Sequence, residues 1–368
     1  MKFIPALQDI VPYAPGTPIE TVMRRHGLED VVKLASNEFP LPPFAEVKAA
    51  VMAAFDEVNR YPDGDALDLR EALAGHYGRP LEEIAAGSGS CELLMLLADA
   101  LLESGDEVVY ADPSFVMYAD ICMSRGAKSV AVPLLPDFDH DLEAMAAAIG
   151  PRTKMVILCN PNNPTGNYLP AAEIAAFIDR VPKDVLVVLD EAYNEFVTAA
   201  DWQDTLPLQA ARPNVCVLRT FSKIYGLAGL RVGYALCPAP LKSALDKVRQ
   251  PFNVNRLAQV AALEALKHQD RVLERRRQNA EGRDYLRDAL AEMGRATVPS
   301  EANFMLVDIT DLCDPHEQVC ASLMALGAIV RDGNHLGCPG WARVTVGTRD
   351  EIDFFLERLR SLERPATP

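Results

Sequence analysis

Two short apolar segments, each followed at once by polar side chains, constrain the fold of this chain more than any other feature. The segments 185–189 (VLVVL) and 215–218 (VCVL) are too short for an average helix and rich in β-branched residues, so they predict buried strands. Ligands of open α/β sheets lie outside the carboxyl ends of the strands. We therefore expect an acid, a phenol, two hydroxyls, a lysine and an arginine to meet at one edge of a sheet. These residues are Asp190, Tyr193, Thr220, Ser222, Lys223 and Arg231.

This group of side chains suits one cofactor, pyridoxal 5′-phosphate (PLP). The amine of Lys223 can condense with an aldehyde once it is partly deprotonated. The carboxylate of Asp190 can keep a pyridine nitrogen protonated, which makes the ring an electron sink. The phenol of Tyr193 can hydrogen-bond the ring hydroxyl, while two hydroxyls and the Arg231 guanidinium can hold a phosphate. Taken singly, Lys223 also fits a solvated loop, Asp190 a helix N-cap and Arg231 a surface ion pair.

The order and spacing of these residues resemble those of a known family. The motif D-E-A-Y at 190–193 is followed by T-F-S-K at 220–223 and then, eight residues after the lysine, by Arg231. This pattern resembles the fold-type I PLP-dependent aminotransferases, in the branch that contains the histidinol-phosphate aminotransferases. The resemblance extends over nearly the whole chain and makes Lys223, Asp190 and Tyr193 the expected catalytic residues.

The resemblance also implies an architecture. We expect an α/β fold of the PLP-dependent transferase type, with a mostly parallel central sheet flanked by helices in a large domain, and a smaller α+β domain. The expected boundaries place an N-terminal arm at 1–40 with the small domain, the large PLP-binding domain at 41–255, and the C-terminal small domain at 256–368. A length of 368 residues is compatible with two domains.

Further cofactor contacts follow from motifs that match the family. The glycine-rich turn G-S-G-S leads into a helix whose N-terminal N–H groups and dipole would attract a phosphate. The resemblance places Phe115 against the pyridine ring, and Asn163 of the N-P-T-G motif beside Tyr193 at the ring oxygen. Tyr61 of the R-Y-P-D motif is expected to cross the boundary of a homodimer and reach the partner's cofactor phosphate. The residues expected around the phosphate within the chain are Ser88, Gly89, Ser90, Thr220, Ser222 and Arg231.

The resemblance also implies a set of substrate contacts. The resemblance implies that Arg343 binds a carboxylate or phosphate, with Arg331 as a second anion contact, and a bidentate guanidinium suits either anion. The S-N-E motif lines the expected pocket, although Phe39-Pro40 stands where the family usually has Asn-Pro. The remaining expected substrate contacts are Tyr13, Asn37 and Asn255.

Composition excludes several other classes of protein. A net charge of −16 argues against a nucleic-acid partner, which would require a basic face. The N-terminus lacks the pattern of a signal peptide, and we predict no membrane span and a cytoplasmic location. The eight cysteines form no C-x-x-C pair and the six histidines are dispersed, so we predict reduced thiols and no metal site.

The family resemblance implies transamination in two half-reactions, with glutamate and 2-oxoglutarate as the usual amino-group partners. The preferred hypothesis is transfer from glutamate to imidazole acetol phosphate, a phosphorylated ketone, which gives histidinol phosphate. One alternative is an aromatic, phenylalanine-type aminotransferase acting on a 2-oxoacid. Another is a decarboxylase of the threonine-phosphate type, which resembles the same branch. A PLP-binding regulatory protein would need a DNA-binding segment, for which the acidic chain has no spare residues.

Overall fold

The computed structural model of this chain describes Met1 and residues 16–312 and 318–362, so the expected substrate contact Tyr13 lies outside the described residues. Within these ranges the helices and strands are numbered in chain order. The helices are α1 (Ile19–His26), α2 (Ala45–Ala54), α3 (Leu67–Tyr77), α4 (Ser90–Leu101), α5 (Met117–Arg125), α6 (Leu142–Ala147), α7 (Ala171–Ile178), α8 (Leu206–Ala211), α9 (Ala239–Val248), α10 (Arg256–Leu266), α11 (Gln269–Glu292), α12 (Val319–Ala325) and α13 (Arg349–Ser361). The strands are β1 (Val32–Lys33), β2 (Ile84–Gly87), β3 (Glu107–Asp112), β4 (Lys128–Pro133), β5 (Thr153–Cys159), β6 (Leu186–Asp190), β7 (Val215–Thr220), β8 (Gly233–Leu236), β9 (Phe304–Asp308), β10 (Ala328–Ile329), β11 (Arg331–Asp332) and β12 (Trp341–Thr345).

A seven-stranded sheet forms the centre of the fold, with the order β2-β8-β7-β6-β5-β3-β4. Only β8 runs antiparallel to its neighbours in this sheet, and the other pairings are parallel. The predicted fold class, an α/β fold with a mostly parallel central sheet, is confirmed. The two apolar segments of the sequence are the adjacent strands β6 and β7, so their carboxyl ends lie side by side.

Alternation of side chains along these strands explains why the sheet is covered on both faces. In β6, Val187 and Leu189 pack into one hydrophobic cluster, while Leu186 and Val188 pack into the cluster on the opposite face. All five residues of β6 and all six of β7 are buried. Such continuous apolar runs are typical of parallel sheets between two helical layers. Each fully buried Val or Leu contributes about 1.5–3 kcal/mol of transfer free energy, which holds the strand ends in place beneath the site.

A second, smaller group of strands involves the C-terminal part of the chain. Strands β11, β12 and β9 form an antiparallel sheet, and β10 pairs in parallel with β1 near the N-terminus. Their apolar side chains share a separate hydrophobic cluster with helices α11, α12 and α13. The domain boundaries at residues 40 and 255 stay predictions.

Two local features of the helices depend on contacts beyond the sequence pattern. Asp63, and not the nearer Asp65, accepts the hydrogen bond from the Leu67 N–H at the start of α3, at 2.6 Å. Asp65 instead pairs with the Arg70 guanidinium, because Arg70 lies one turn further along the helix. The helical region between residues 256 and 292 consists of two helices, since α10 ends at Leu266 and α11 begins at Gln269.

Candidate active site

A cavity of about 190 Å³ lies at the carboxyl ends of β5, β6 and β7 and collects most of the predicted site residues. A larger groove of about 360 Å³ elsewhere, between α11 and the start of α13, is lined by none of the predicted residues within the described part of the chain. The lining of the smaller cavity therefore defines the candidate site. Its residues are Ser36, Asn37, Ser90, Cys91, Phe115, Cys159, Asn163, Asp190, Ala192, Tyr193, Thr220, Ser222, Lys223, Arg231 and Arg343.

Lys223 has an amine that is partly neutral near physiological pH. Its Nζ lies 3.4 Å from the carbonyl oxygen of Ser36 and 5.3 Å from the centre of the Tyr193 ring. Burial, together with the positive charge of Arg343, lowers the pKa of Lys223 from 10.5 to about 8. A neutral amine is a nucleophile and a proton acceptor, which an ordinary surface lysine is not at pH 7.

Asp190 presents one unsatisfied oxygen in the cavity. Its Oδ2 accepts a hydrogen bond from the Tyr118 hydroxyl at 2.8 Å, whereas its buried Oδ1 has no hydrogen-bond partner among the described residues. Burial raises the pKa of Asp190 from 3.8 to about 6, and the bond from Tyr118 limits the rise. A buried polar atom without a partner is costly, so this oxygen calls for a donor from a ligand. The protonated ring nitrogen of PLP is a donor of that kind, and the residues present fit the cofactor.

An anion cradle lies where α4 begins, next to Arg231. The first turn of α4 starts at Ser90, and the preceding Gly89 has a φ of +83°. A side chain on Gly89 would come within 2.5 Å of an Arg231 nitrogen, and one on Gly233 within 2.7 Å of the Ser90 nitrogen, so both positions require glycine. Arg231 donates to the Ser222 hydroxyl at 3.2 Å. A helix N-terminus, a hydroxyl and a guanidinium at one place suit a phosphate.

Two backbone features hold this cradle in shape. Arg231 itself has a left-handed conformation with a φ of +59°, an arrangement that costs about 1 kcal/mol or more for a residue other than glycine. Thr220 accepts a hydrogen bond from the Ser222 N–H at 3.1 Å, which turns the chain sharply after β7. Ser88, by contrast, donates its N–H to the Glu92 carboxylate at 2.5 Å, so it supports the turn from behind.

Arg343 connects the second sheet to the cofactor side of the cavity. It is buried, and it donates to Asn163 Oδ1 at 2.5 Å and to the Ala35 carbonyl at 2.8 Å. Because the Asn163 oxygen accepts from Arg343, the amide nitrogen of Asn163 is turned the other way. Arg331 lies directly opposite Arg343 in the pairing of β11 with β12. The two cations thus occupy the same face of the small antiparallel sheet.

The Tyr193 hydroxyl lies on the same side, at the end of a buried polar chain. Asn37 donates its amide to this hydroxyl at 3.0 Å, and the Asn37 N–H donates to Thr345 on β12 at 3.0 Å. Burial raises the pKa of the Tyr193 phenol above its ordinary value, so the phenol keeps its proton and can act as a donor. The N-terminal S-N-E motif is therefore tied to both sheets through Asn37.

The aminotransferase class I and II family matches residues 29–359 of this chain. The chain belongs to this family. The resemblance to aminotransferases inferred from the motifs is confirmed. In the described part of the chain, no cluster of three or more His, Cys, Asp or Glu side chains could hold a metal ion. Among the same residues, no helix is both long and apolar enough to cross a membrane.

Individual relatives give more detail. The histidinol-phosphate aminotransferase of Moorella thermoacetica is 47% identical over 97% of this chain and 92% of the relative. That of Brevibacillus brevis is 45% identical over 95% of each chain. A crystal structure of the Sinorhizobium meliloti histidinol-phosphate aminotransferase in complex with pyridoxal-5′-phosphate has a TM-score of 0.89, with 32% identity over 98% of each chain. The aspartate aminotransferase of Thermus thermophilus with maleate has a TM-score of 0.85, with 26% identity over 98% of this chain and 100% of that one.

Tyr61 and Asn255, both predicted site residues of this aminotransferase, lie in an outer groove away from the cavity. Tyr61 is 82% exposed and stacks on Phe252, with ring centres 4.6 Å apart. Asn255 lies in the same outer groove, where it caps α10 by accepting from the Ala258 N–H at 2.9 Å and donates to the Leu230 carbonyl at 3.0 Å. Within one chain, neither residue is brought to Lys223, so their predicted contacts stay predictions.

Three residues near the cofactor position were not among those predicted. Cys91 and Cys159 line the cavity, and Tyr118 bonds Asp190 from behind. The sequence contained one signal for Tyr118, because it follows Phe115 by three residues in a segment that continues as a helix. The two rings meet edge-to-face at 5.8 Å, so Tyr118 supports both the expected stacking ring and the expected partner of the ring nitrogen.

Proposed function

We propose that this chain is a PLP-dependent aminotransferase that converts histidinol phosphate and 2-oxoglutarate into imidazole acetol phosphate and glutamate, reversibly. The observation that carries the proposal is near-full-length similarity to histidinol-phosphate aminotransferases at more than 40% identity, together with a cavity that contains Lys223, Asp190 and Arg343. Histidine biosynthesis in the cytoplasm is the corresponding role in the cell.

The cofactor side of the cavity assigns a task to each of its polar groups. PLP, when bound, supplies an electron sink for the electron pair left at the substrate α-carbon. Lys223 Nζ would bind the aldehyde of the cofactor and, once the substrate amine had displaced it, would take the proton from the α-carbon and deliver it to the former aldehyde carbon. A pKa of about 8 suits both proton transfers. Asp190 Oδ1 holds the proton on the ring nitrogen, while Asn163 and Tyr193 donate to the ring oxygen.

The other binding contacts follow from the cradle and from the second sheet. The cofactor phosphate would be held by Gly89, Ser90, Ser222 and Arg231. Ser88 and Thr220 shape the turns around it. Phe115 covers one face of the ring. Arg343 binds the anionic group of the substrate, with Arg331, Asn37 and Tyr13 as further contacts.

The proposed enzyme is a homodimer. Tyr61 and Asn255 share an exposed groove with apolar walls, which include Val58 and Phe252. A surface with several exposed large apolar side chains is typical of an interface. Tyr61 would then reach the partner's cofactor phosphate, which accounts for an exposed tyrosine outside the cavity of its own chain.

The substrate assignment is tested by comparing amino donors in steady-state assays of the purified holoenzyme. Histidinol phosphate, phenylalanine and threonine phosphate are each supplied with 2-oxoglutarate, and the products glutamate and carbon dioxide are both measured. The proposal predicts the highest kcat/KM for histidinol phosphate, with glutamate formed and no carbon dioxide released. A higher kcat/KM for phenylalanine would identify an aromatic aminotransferase, and release of carbon dioxide from threonine phosphate would identify a decarboxylase.

A further inference from the structure

The hydroxyl of Tyr118 occupies one of the two oxygens of Asp190. Tyr118 lies on α5 and is fully buried, and its hydroxyl donates to Asp190 Oδ2 at 2.8 Å. Asp190 is 3% exposed at the end of β6. The bond therefore joins a helix on one face of the central sheet to the carboxyl end of a central strand.

This contact leaves a single oxygen of Asp190 for a ligand. Among the residues that the structure describes, Oδ1 has no hydrogen-bond partner, although it is buried. Burial raises the pKa of the Tyr118 phenol well above its ordinary value, so the hydroxyl keeps its proton over the working pH range. A phenol that always donates to Oδ2 stabilises the ionised carboxylate and leaves Oδ1 as the oxygen available to a ligand in the cavity that Asp190 lines.

We propose that Tyr118 is a positioning residue that acts through Asp190 to keep the proton of the carboxylate–pyridine pair on the cofactor's ring nitrogen. This inference rests on the proposed role of Asp190 as the partner of that nitrogen. Asp190 Oδ1 and the ring nitrogen share one proton, and the hydrogen bond at Oδ2 favours the charge state in which the carboxylate is ionised and the nitrogen carries the proton. Removal of the Tyr118 hydroxyl moves this proton toward Oδ1.

The same side chain also supports the expected stacking residue. The Tyr118 ring contacts the edge of the Phe115 ring at an interplanar angle of 89°, and Phe115 lines the cavity. On its other side Tyr118 contacts the Tyr110 ring, with centres 5.8 Å apart. Tyr110 is thus a buried phenol in the same cluster that does not bond Asp190, which makes it a matched control.

Other titratable groups also act on Asp190 and must be held constant in any test. Tyr118 and the positive charge of Lys223 lower the pKa of Asp190, while the adjacent Glu191 raises it. The charge of Asp190 in turn adds to the raised pKa values of Cys91, Cys159 and Tyr193. The groups that face Asp190 are Tyr118, Glu191, Lys223, Cys91, Cys159 and Tyr193.

The experiment measures the protonation of the ring nitrogen directly. Holoenzyme is prepared with PLP labelled with ¹⁵N in the ring, and the ¹⁵N chemical shift is followed between pH 5 and pH 9. Wild type, Tyr118→Phe and the control Tyr110→Phe are compared. A hydrogen bond to a charged group changes an equilibrium about tenfold or more, so we expect the midpoint pH for loss of the nitrogen's proton to fall by about one unit or more in Tyr118→Phe. We expect Tyr110→Phe to match wild type.

A second variant guards against loss of folding in Tyr118→Phe. Incorporation of 3,5-difluorotyrosine at position 118 keeps the shape of the side chain and makes the hydroxyl a stronger donor, so the midpoint should rise. Two results would overturn the role of Tyr118. One is a midpoint that is the same in wild type and in both variants of position 118. The other is a pyridinium signal that persists through pH 9 in Tyr118→Phe as it does in wild type. A neutral ring nitrogen in wild type at pH 7 would instead overturn the proposed role of Asp190.

Discussion

The buried carboxylate of Glu195 provides a quantitative prediction about stability. Both of its oxygens are buried and lack hydrogen-bond partners in the described part of the chain, and burial raises its pKa from 4.5 to about 7. The carboxyl is therefore protonated in the fold at pH values where it ionises in the unfolded chain. A group with a raised carboxyl pKa lowers the free energy of unfolding as the pH rises from about 4.5 to about 7, after which the loss is constant.

The expected size of this effect follows from the two pKa values. At 1.36 kcal/mol per pKa unit, the raised pKa of Glu195 lowers the free energy of unfolding by about 1 kcal/mol at pH 5 and by about 3 kcal/mol at pH 8. Glu195→Gln removes this cost. With an unfolding entropy of about 2.1 cal/mol/K per residue, a chain of this size gains about 1 °C in Tm at pH 5 and about 4 °C at pH 8.

Differential scanning calorimetry of wild type and Glu195→Gln at both pH values measures these gains. Glu191→Gln is the matched control, because Glu191 pairs with the Arg219 guanidinium at 2.7 Å and both side chains are buried. In this variant the buried Arg219 guanidinium keeps only Asp204, which is 38% exposed, as an acidic partner at 2.9 Å, so the variant should be less stable than wild type. Equal gains for Glu195→Gln at pH 5 and pH 8, or a loss at pH 8, would refute the reasoning.

Three further predictions concern the site. Arg343→Lys cannot bond Asn163 and the substrate anion in the same way, so kcat/KM for glutamate should fall about a hundredfold while PLP content is unchanged. An unchanged kcat/KM would contradict this prediction. Co-expression of Tyr61→Ala with Lys223→Ala should give heterodimers with one intact site and restore activity that neither variant has alone, whereas no restoration would place Tyr61 outside the partner's site. Only the neutral amine of Lys223 reacts with the PLP aldehyde. The rate at which apoenzyme binds PLP should therefore rise about tenfold per pH unit below pH 8 and level off above pH 8. A rate that is independent of pH would contradict the lowered pKa of Lys223.

The parts of the site that could be predicted from sequence lie next to strands in the chain. Asp190 and Lys223 directly follow apolar runs, and the general rule for open sheets brings such strand ends together. The apolar runs gave no direct signal for the order of the strands near the centre of the sheet, but their length and composition indicated buried strands. The fold class and the cavity at β6 and β7 therefore follow from local patterns.

The parts that could not be predicted depend on contacts between distant segments. Arg343 bonds Asn163 across 180 positions of the chain, and Asn37 reaches Tyr193 across 156. Gly89 is close to Arg231 only after β8 has paired with β2. The different contacts of Asp63 and Asp65 at the start of α3 also depend on Arg70, whose guanidinium binds Asp65. Spacing along the sequence carries no information about such pairings.

The most direct test of the central claim is the absorbance spectrum of the purified protein supplied with PLP, before and after addition of L-glutamate, beside the same protein with Lys223→Ala. The account predicts a visible cofactor band in wild type that is replaced by the band of pyridoxamine phosphate after glutamate is added, and no such conversion in Lys223→Ala. A wild-type protein that shows no cofactor band, or a band that neither glutamate nor histidinol phosphate converts, would contradict the assignment of an aminotransferase.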